Sequence, residues 1–153
     1  MSAQYASNAS GSGKSKVLAK NPDDVVIVSA VRSAVTKVCT SLSLLHPSAH
    51  PWLYQAKKGG FKDTRPEEIL SGVLRAAYTK AGLDPALIED ITVGNVLPPG
   101  SGASAARMAE LHAGIPITTP ISTVNRQCSS GLAATNNIAA LITSGQIDIG
   151  LGK

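Results

Sequence analysis

ISTVNRQCSSGLAATNNIAALI, residues 121–142, joins a short β-like run to a helical pattern, and its reading sets the fold of everything around it. Ile121, Thr123 and Val124 form the run. Leu132, Ala133, Ile138, Ala139, Leu141 and Ile142 then recur near the helical period. Cys128 stands where the one pattern gives way to the other. Unpaired N–H groups and the macrodipole at a helix N-terminus favour negative charge, and the thiolate is the nucleophilic form of cysteine. Cys128 is therefore placed to be reactive, and Ser129, Ser130 and Gly131 are small enough to let backbone approach a ligand. On spacing alone, a solitary cysteine among small residues also fits a buried small hydrophobe.

Upstream the same alternation of strand and helix recurs. VVIVSAV, residues 25–31, is a nearly continuous apolar, β-branched run, the pattern of a strand buried on both faces of a sheet. Residues 33–37 leave it as a loop. Thr64 opens a helix with a capping-box spacing to Glu67 and Pro66 in the first turn; Ile69, Leu70, Val73, Leu74 and Ala77 line one side and Gly82 ends it. Residues 85–88 read as a short helix and residues 91–96 as a second buried strand. A proline and glycine loop over residues 98–102 precedes a helix from about Ala103 to Ala113, stopped by Gly114 and Pro116. Residues 147–149 start a last strand. Strands alternating with helices of this length predict an α/β layer arrangement with largely parallel strands.

The chain has 153 residues, 43% of them hydrophobic and 16% charged, enough for one domain with a real core. Its net charge of +4 owes much to Lys14, Lys16 and Lys20 and comes without an aromatic-basic pattern, which argues against nucleic-acid binding. No apolar stretch is long enough to span a membrane. Cys39 and Cys128 follow no legible secretory signal, so a reducing intracellular compartment is expected. Residues 1–20, rich in Ser, Ala and Gly without apolar period, read as a disordered leader. The loop at Gly100 and Gly102 does not have the spacing of a phosphate-cradling motif and is a plain strand-to-helix connection. Arg107 on the following helix could meet an anion, with an exposed or dimer-facing arginine as the default. Asn125 and Arg126 are expected to set the turn and partner contacts.

STVNRQCSSGLAA followed by IAALITSGQIDIG resembles the nucleophile segment of the thiolases, most closely that of the eukaryotic, fungal-like peroxisomal 3-ketoacyl-CoA thiolases. The likeness extends through DDVVIVSAVRS, KKGGFKDTRPEE, GLDPALIEDITVGNVLPPG and ARMAELHAGIP, most of the chain after Asn21. It implies a layered α-β-α fold with a mostly parallel mixed sheet, of which this chain is the N-terminal half, a truncated domain over residues 21–153. It implies Cys128 as the acyl-accepting nucleophile of an acetyl-CoA C-acyltransferase of fatty-acid β-oxidation. The substrates would be 3-ketoacyl-CoA and coenzyme A, with no metal or redox cofactor, in a homodimer located in the peroxisome. Cytoplasm is the alternative location, because Lys16 and Val17 could open an import nonapeptide but Asp23 and Asp24 stand where it should close. The family draws its activating histidine and second cysteine from its C-terminal half, so the chain alone is expected to show negligible turnover. His112 is expected to be a helix residue without that role. Two other readings stand beside this one: a non-catalytic truncated isoform or gene-model fragment that pairs with full-length thiolase, and an acetoacetyl-CoA thiolase or ketoacyl synthase relative.

The family pattern is interrupted by VCTSLSLLHPSAHPWLYQ, residues 38–55. Cys39, His46 and His50 lie within it, but Pro47 and Pro51 oppose a helix that would gather them on a metal. Val38-Cys39 and Gly152-Lys153 can both be encoded by splice-donor sequences, and Gln55 by a common intron end. A retained intron that preserves frame is the expected origin of the insertion, and a second one of the stop. A genuine loop insertion is the alternative, since lengthening a loop adds entropy only slowly.

Overall fold

Strand, helix and turn follow one another much as the periodicity predicts. The computed structural model describes residues 19–33, 61 and 63–153. Most of the leader and all of the insertion, with Cys39, His46 and His50, lie outside the described residues. Helix α1 runs Pro66–Ala81, strand β1 Asp90–Gly94, helix α2 Ala103–Ala113, strand β2 Ile121–Val124, helix α3 Ser130–Thr143 and strand β3 Gly150–Gly152. Short 3-10 turns at Pro85–Leu87 and Pro99–Gly102 connect them.

The three strands form one parallel sheet in the order β2-β1-β3. Parallel neighbours cannot be joined by a hairpin, so α2 carries the chain from β1 to β2 and α3 carries it from β2 to β3. Because successive strand residues face opposite ways, Ile91 and Val93 enter a core with Leu70 and Leu74 of α1 and Ala106, Ala109 and Ala113 of α2. Thr92 and Gly94 face the other way, and α3 packs along that side of the sheet. The result is helices over both faces of the sheet. Burying each large aliphatic side chain of this core contributes roughly 1.5–3 kcal/mol. The alanines at i, i+3 and i+7 of α2 let α1 lie close against it.

Helix α1 begins one residue later than its sequence signature suggests. Arg65 is the N-cap, and the Glu68 carboxylate accepts its backbone N–H at 2.9 Å, in place of the expected Thr64 and Glu67. Arginine has no acceptor, so only the glutamate half of a capping box forms. Pro66 does occupy the first turn, and Gly82 closes the helix in the left-handed region at φ 65°. Helix α2 has the expected bounds and ends at Gly114, φ 87°.

Two strand expectations are corrected. Residues 25–31 form no strand: Val25, Val26, Ile27 and Val28 are exposed, the last two at 77%. Strand propensity is realised only against a partner, and this run pairs with none of the three strands of the sheet β2-β1-β3. The last strand lies at Gly150–Gly152 in place of residues 147–149. The Glu89 carboxylate accepts the backbone N–H groups of Asp148 and Ile149, so the side chain of Glu89 takes amides that a ladder would have used.

Candidate active site

The turn between β2 and α3 is built by four consecutive constraints. Strand β2 is only half-buried, and its last residue accepts the backbone N–H of Asn95 at 2.9 Å, tying it to the chain leaving β1. Asn125 follows. Its side-chain oxygen accepts the Gln127 N–H at 3.0 Å, an Asx turn, while its amide donates to the Val96 carbonyl at 3.3 Å. Gln127 sits at φ 54°, in the left-handed region. Ser130, only 3% exposed, then closes the turn: its hydroxyl donates to the Gln127 carbonyl at 2.6 Å and accepts the Arg126 N–H at 2.9 Å.

Cys128 is carried at the crest of this turn, one residue before the N-cap Ser129 of α3. Its thiol is free and exposed. The alternative of a buried small hydrophobe is thereby set aside: the residue is held in water at the head of a 14-residue helix. An exposed sulfur at a helix N-terminus can act as a nucleophile toward an electrophilic carbonyl carbon. Of the three small residues after the cysteine, Ser130 spends its side chain inside the turn.

The body of the domain approaches the turn from beneath. A Cβ at Gly94 would overlap the Ser130 backbone, so only glycine lets β1 pass directly under the first residue of α3. Beside this contact a cavity of about 390 Å³ lies between α1, β1 and α2, with Ile69, Leu70, Val93 and Asn95 among its walls. Lys153 also lines it, and burial holds its ammonium pKa below the ordinary value of 10.5. Cys128 is not among the residues lining this cavity.

Other residues singled out by sequence go elsewhere. His112 is exposed on α2 with Nδ1 2.8 Å from the Ser71 hydroxyl, and its carbonyl accepts from Arg75. Arg107 is half-buried, and its guanidinium is engaged within the chain. Its guanidinium donates to Glu110 at 2.7 Å and to the carbonyls of Thr119 and Ile117 at 2.7 and 2.6 Å, clamping the loop into β2. Among the described residues no three His, Cys, Asp or Glu side chains are grouped to hold a metal, and no helix is long and apolar enough to cross a membrane. Sequence reasoning missed the parts played by Gln127 and Ser130. Glutamine carries no left-handed signature, and a serine near a helix start reads as a cap before it reads as a turn closure.

Comparison with known proteins shows the family of the chain. The family model described as thiolase, N-terminal domain, matches residues 53–152. The peroxisomal 3-ketoacyl-CoA thiolase 1 of Arabidopsis thaliana is 50% identical over 131 residues, covering 85% of this chain and 26% of that protein. The peroxisomal 3-ketoacyl-CoA thiolase of Yarrowia lipolytica is 45% identical over 140 residues, 92% of this chain and 30% of that protein. Among solved structures, the dimeric peroxisomal thiolase of Saccharomyces cerevisiae superposes with a TM-score of 0.70 at 41% identity, covering 89% of this chain and 31% of that one. The chain thus spans between a quarter and a third of the length of these relatives.

Proposed function

Because this chain belongs to the thiolase family, we propose that it serves the 3-ketoacyl-CoA thiolase reaction of fatty-acid β-oxidation, with Cys128 as the acyl-accepting nucleophile. The observation that carries the reading is the exposed thiol of Cys128, held at a pinned strand-to-helix turn inside the matched domain. In the reaction the thiolate attacks the keto carbon of a 3-ketoacyl-CoA. The bond between the keto carbon and its neighbour toward the thioester breaks, and the departing carbon takes a proton to become acetyl-CoA. The acyl group stays on the sulfur as a thioester until the thiol of a second coenzyme A attacks it and carries it away, in a ping-pong sequence. One thioester is exchanged for another, so the same residue can serve the reverse condensation. The substrates are acyl-CoA molecules and coenzyme A, and the chemistry calls on no metal or redox group.

The reading assigns the nucleophile to this chain and assigns no general base within it: the geometry of His112, turned to Ser71, gives it no part. Peroxisomal location and assembly as a pair of copies are proposed on the same footing, from the names and the dimeric state of the relatives.

The test is affinity labelling of the 153-residue protein with bromoacetyl-CoA against iodoacetamide. Binding of the coenzyme A moiety brings the electrophile to the sulfur, so Cys128 is expected to react at least ~10-fold faster with the tethered reagent, and excess acetyl-CoA to slow it. Replacement of Cys128 by Ser should abolish the adduct found by peptide mass mapping. Equal rates with the two reagents, unprotected by acetyl-CoA, would remove the assignment.

A further inference from the structure

We propose that Ser130 is the positioning residue of the nucleophile: its buried hydroxyl, by bridging Gln127 and Arg126, fixes the turn that presents Cys128. The proposal rests on the reading of Cys128 as nucleophile.

The geometry is specific to this serine. A hydroxyl can donate once and accept at the same time, and Ser130 does both toward the two residues that precede the cysteine. Gln127 is in a conformation that side-chain-bearing residues avoid, and its carbonyl receives two donors from Ser130, the backbone N–H at 3.1 Å and the hydroxyl at 2.6 Å. Ser129 N–H adds a bond to the Arg126 carbonyl at 3.1 Å. Arg126 is thus tied to residue 130 through its N–H and Gln127 through its carbonyl, and the cysteine is the residue carried between the ties. The adjacent serine does not share this role, since Ser129 makes no side-chain cap bond. Ser130 itself cannot drift, because the backbone of β1 at Gly94 lies directly beneath it. Attack on a carbonyl carbon needs the sulfur at a defined place, whereas alkylation by a small free reagent needs only exposure.

Ser130→Ala removes both side-chain bonds with little change of volume. The ratio of bromoacetyl-CoA to iodoacetamide rates at Cys128 is expected to fall by at least about fivefold, with the iodoacetamide rate nearly unchanged. Ser130→Thr, which keeps the hydroxyl, should restore the ratio. Thr143→Val deletes a comparable side-chain bond at the far end of α3, from Thr143 to the Ala139 carbonyl, and should leave the ratio alone. A wild-type ratio in Ser130→Ala, or an equal loss in Thr143→Val, overturns the proposal. Hydrogen exchange on the wild-type protein needs no variant: the Arg126 amide, bonded to a buried hydroxyl, should exchange at least ~100-fold slower than an open turn amide. An unprotected Arg126 amide overturns the positioning role whatever the labelling shows. If the wild-type protein shows no preference for the tethered reagent, the functional reading falls and the exchange measurement alone decides on Ser130.

Discussion

Gln127 places a side chain where the backbone prefers none. For an L-residue with a Cβ the left-handed region costs roughly 1–2 kcal/mol, and at φ 54° Gln127 bears that cost one residue before the exposed thiol. The Asn125 side chain and the Ser130 hydroxyl supply the compensating bonds. Two substitutions separate strain from packing, because Gln127 is exposed and has little packing to lose. Gln127→Val should destabilise by about 1–2 kcal/mol, since a β-branched residue is least tolerant of positive φ. Gln127→Gly should leave stability unchanged or raise it by up to ~1 kcal/mol. Urea denaturation of both variants checks this, and equal losses would show that the turn stores no strain there. The junction that carries the cysteine was legible in the sequence, because a strand-like run gives way there to a helical period, whereas the role expected of the cysteine came from the family resemblance. The strain was not, because it comes from how Asn125, Gln127 and Ser130 bond to one another and no residue type announces it.

Helix α2 shows how an element can be legible in outline and opaque in purpose. Its bounds follow from Gly102 and Gly114, both in the left-handed region, and from the alanines that repeat along its inner face. What it does with Arg107 and Glu110 could not be read, since a charged pair three residues apart on a helix is by default a solvated surface pair. Here Glu110 is fully buried and Arg107 bridges it to the loop that feeds β2, so the pair ties the helix to the strand before the turn. Burial raises the Glu110 carboxyl above its ordinary value of 4.5, against the hydrogen bond and positive charge of Arg107, which pull it down. A carboxyl whose folded value is raised binds its proton more tightly folded than unfolded. Its contribution is therefore whole below pH 4.5 and is lost as pH rises through the folded value. The stability of the wild-type protein relative to Glu110→Gln should accordingly decline as pH is raised from 4 toward neutrality, in urea midpoints measured on both proteins at each pH. A difference that grows with pH would mean that Arg107 outweighs burial at this site.

At the scale of the whole molecule the parallel sheet and its helical layers followed from alternating periods, but the membership of the sheet did not. Residues 25–31 have every local property of a central strand, yet Ile27 and Val28 are each 77% exposed, and this segment is anchored to α1 by Lys80 donating to the Ala30 carbonyl at 3.0 Å. Local pattern states that a run can pair; which runs share an edge is a competition among distant segments, and in this chain the short, glycine-flanked β3 holds the second edge of β1. Ile27→Lys decides between the two placements. If the run lies in water, the substitution should change stability by less than ~0.5 kcal/mol. It should also reduce self-association in sedimentation velocity, because an exposed β-branched run is a template for pairing with another chain. If the run is a buried strand, placing a lysine there leaves an unpaired charge in the core and should cost at least about 3 kcal/mol. A loss of that size would return residues 25–31 to a buried strand, paired at an open edge of β2 or β3.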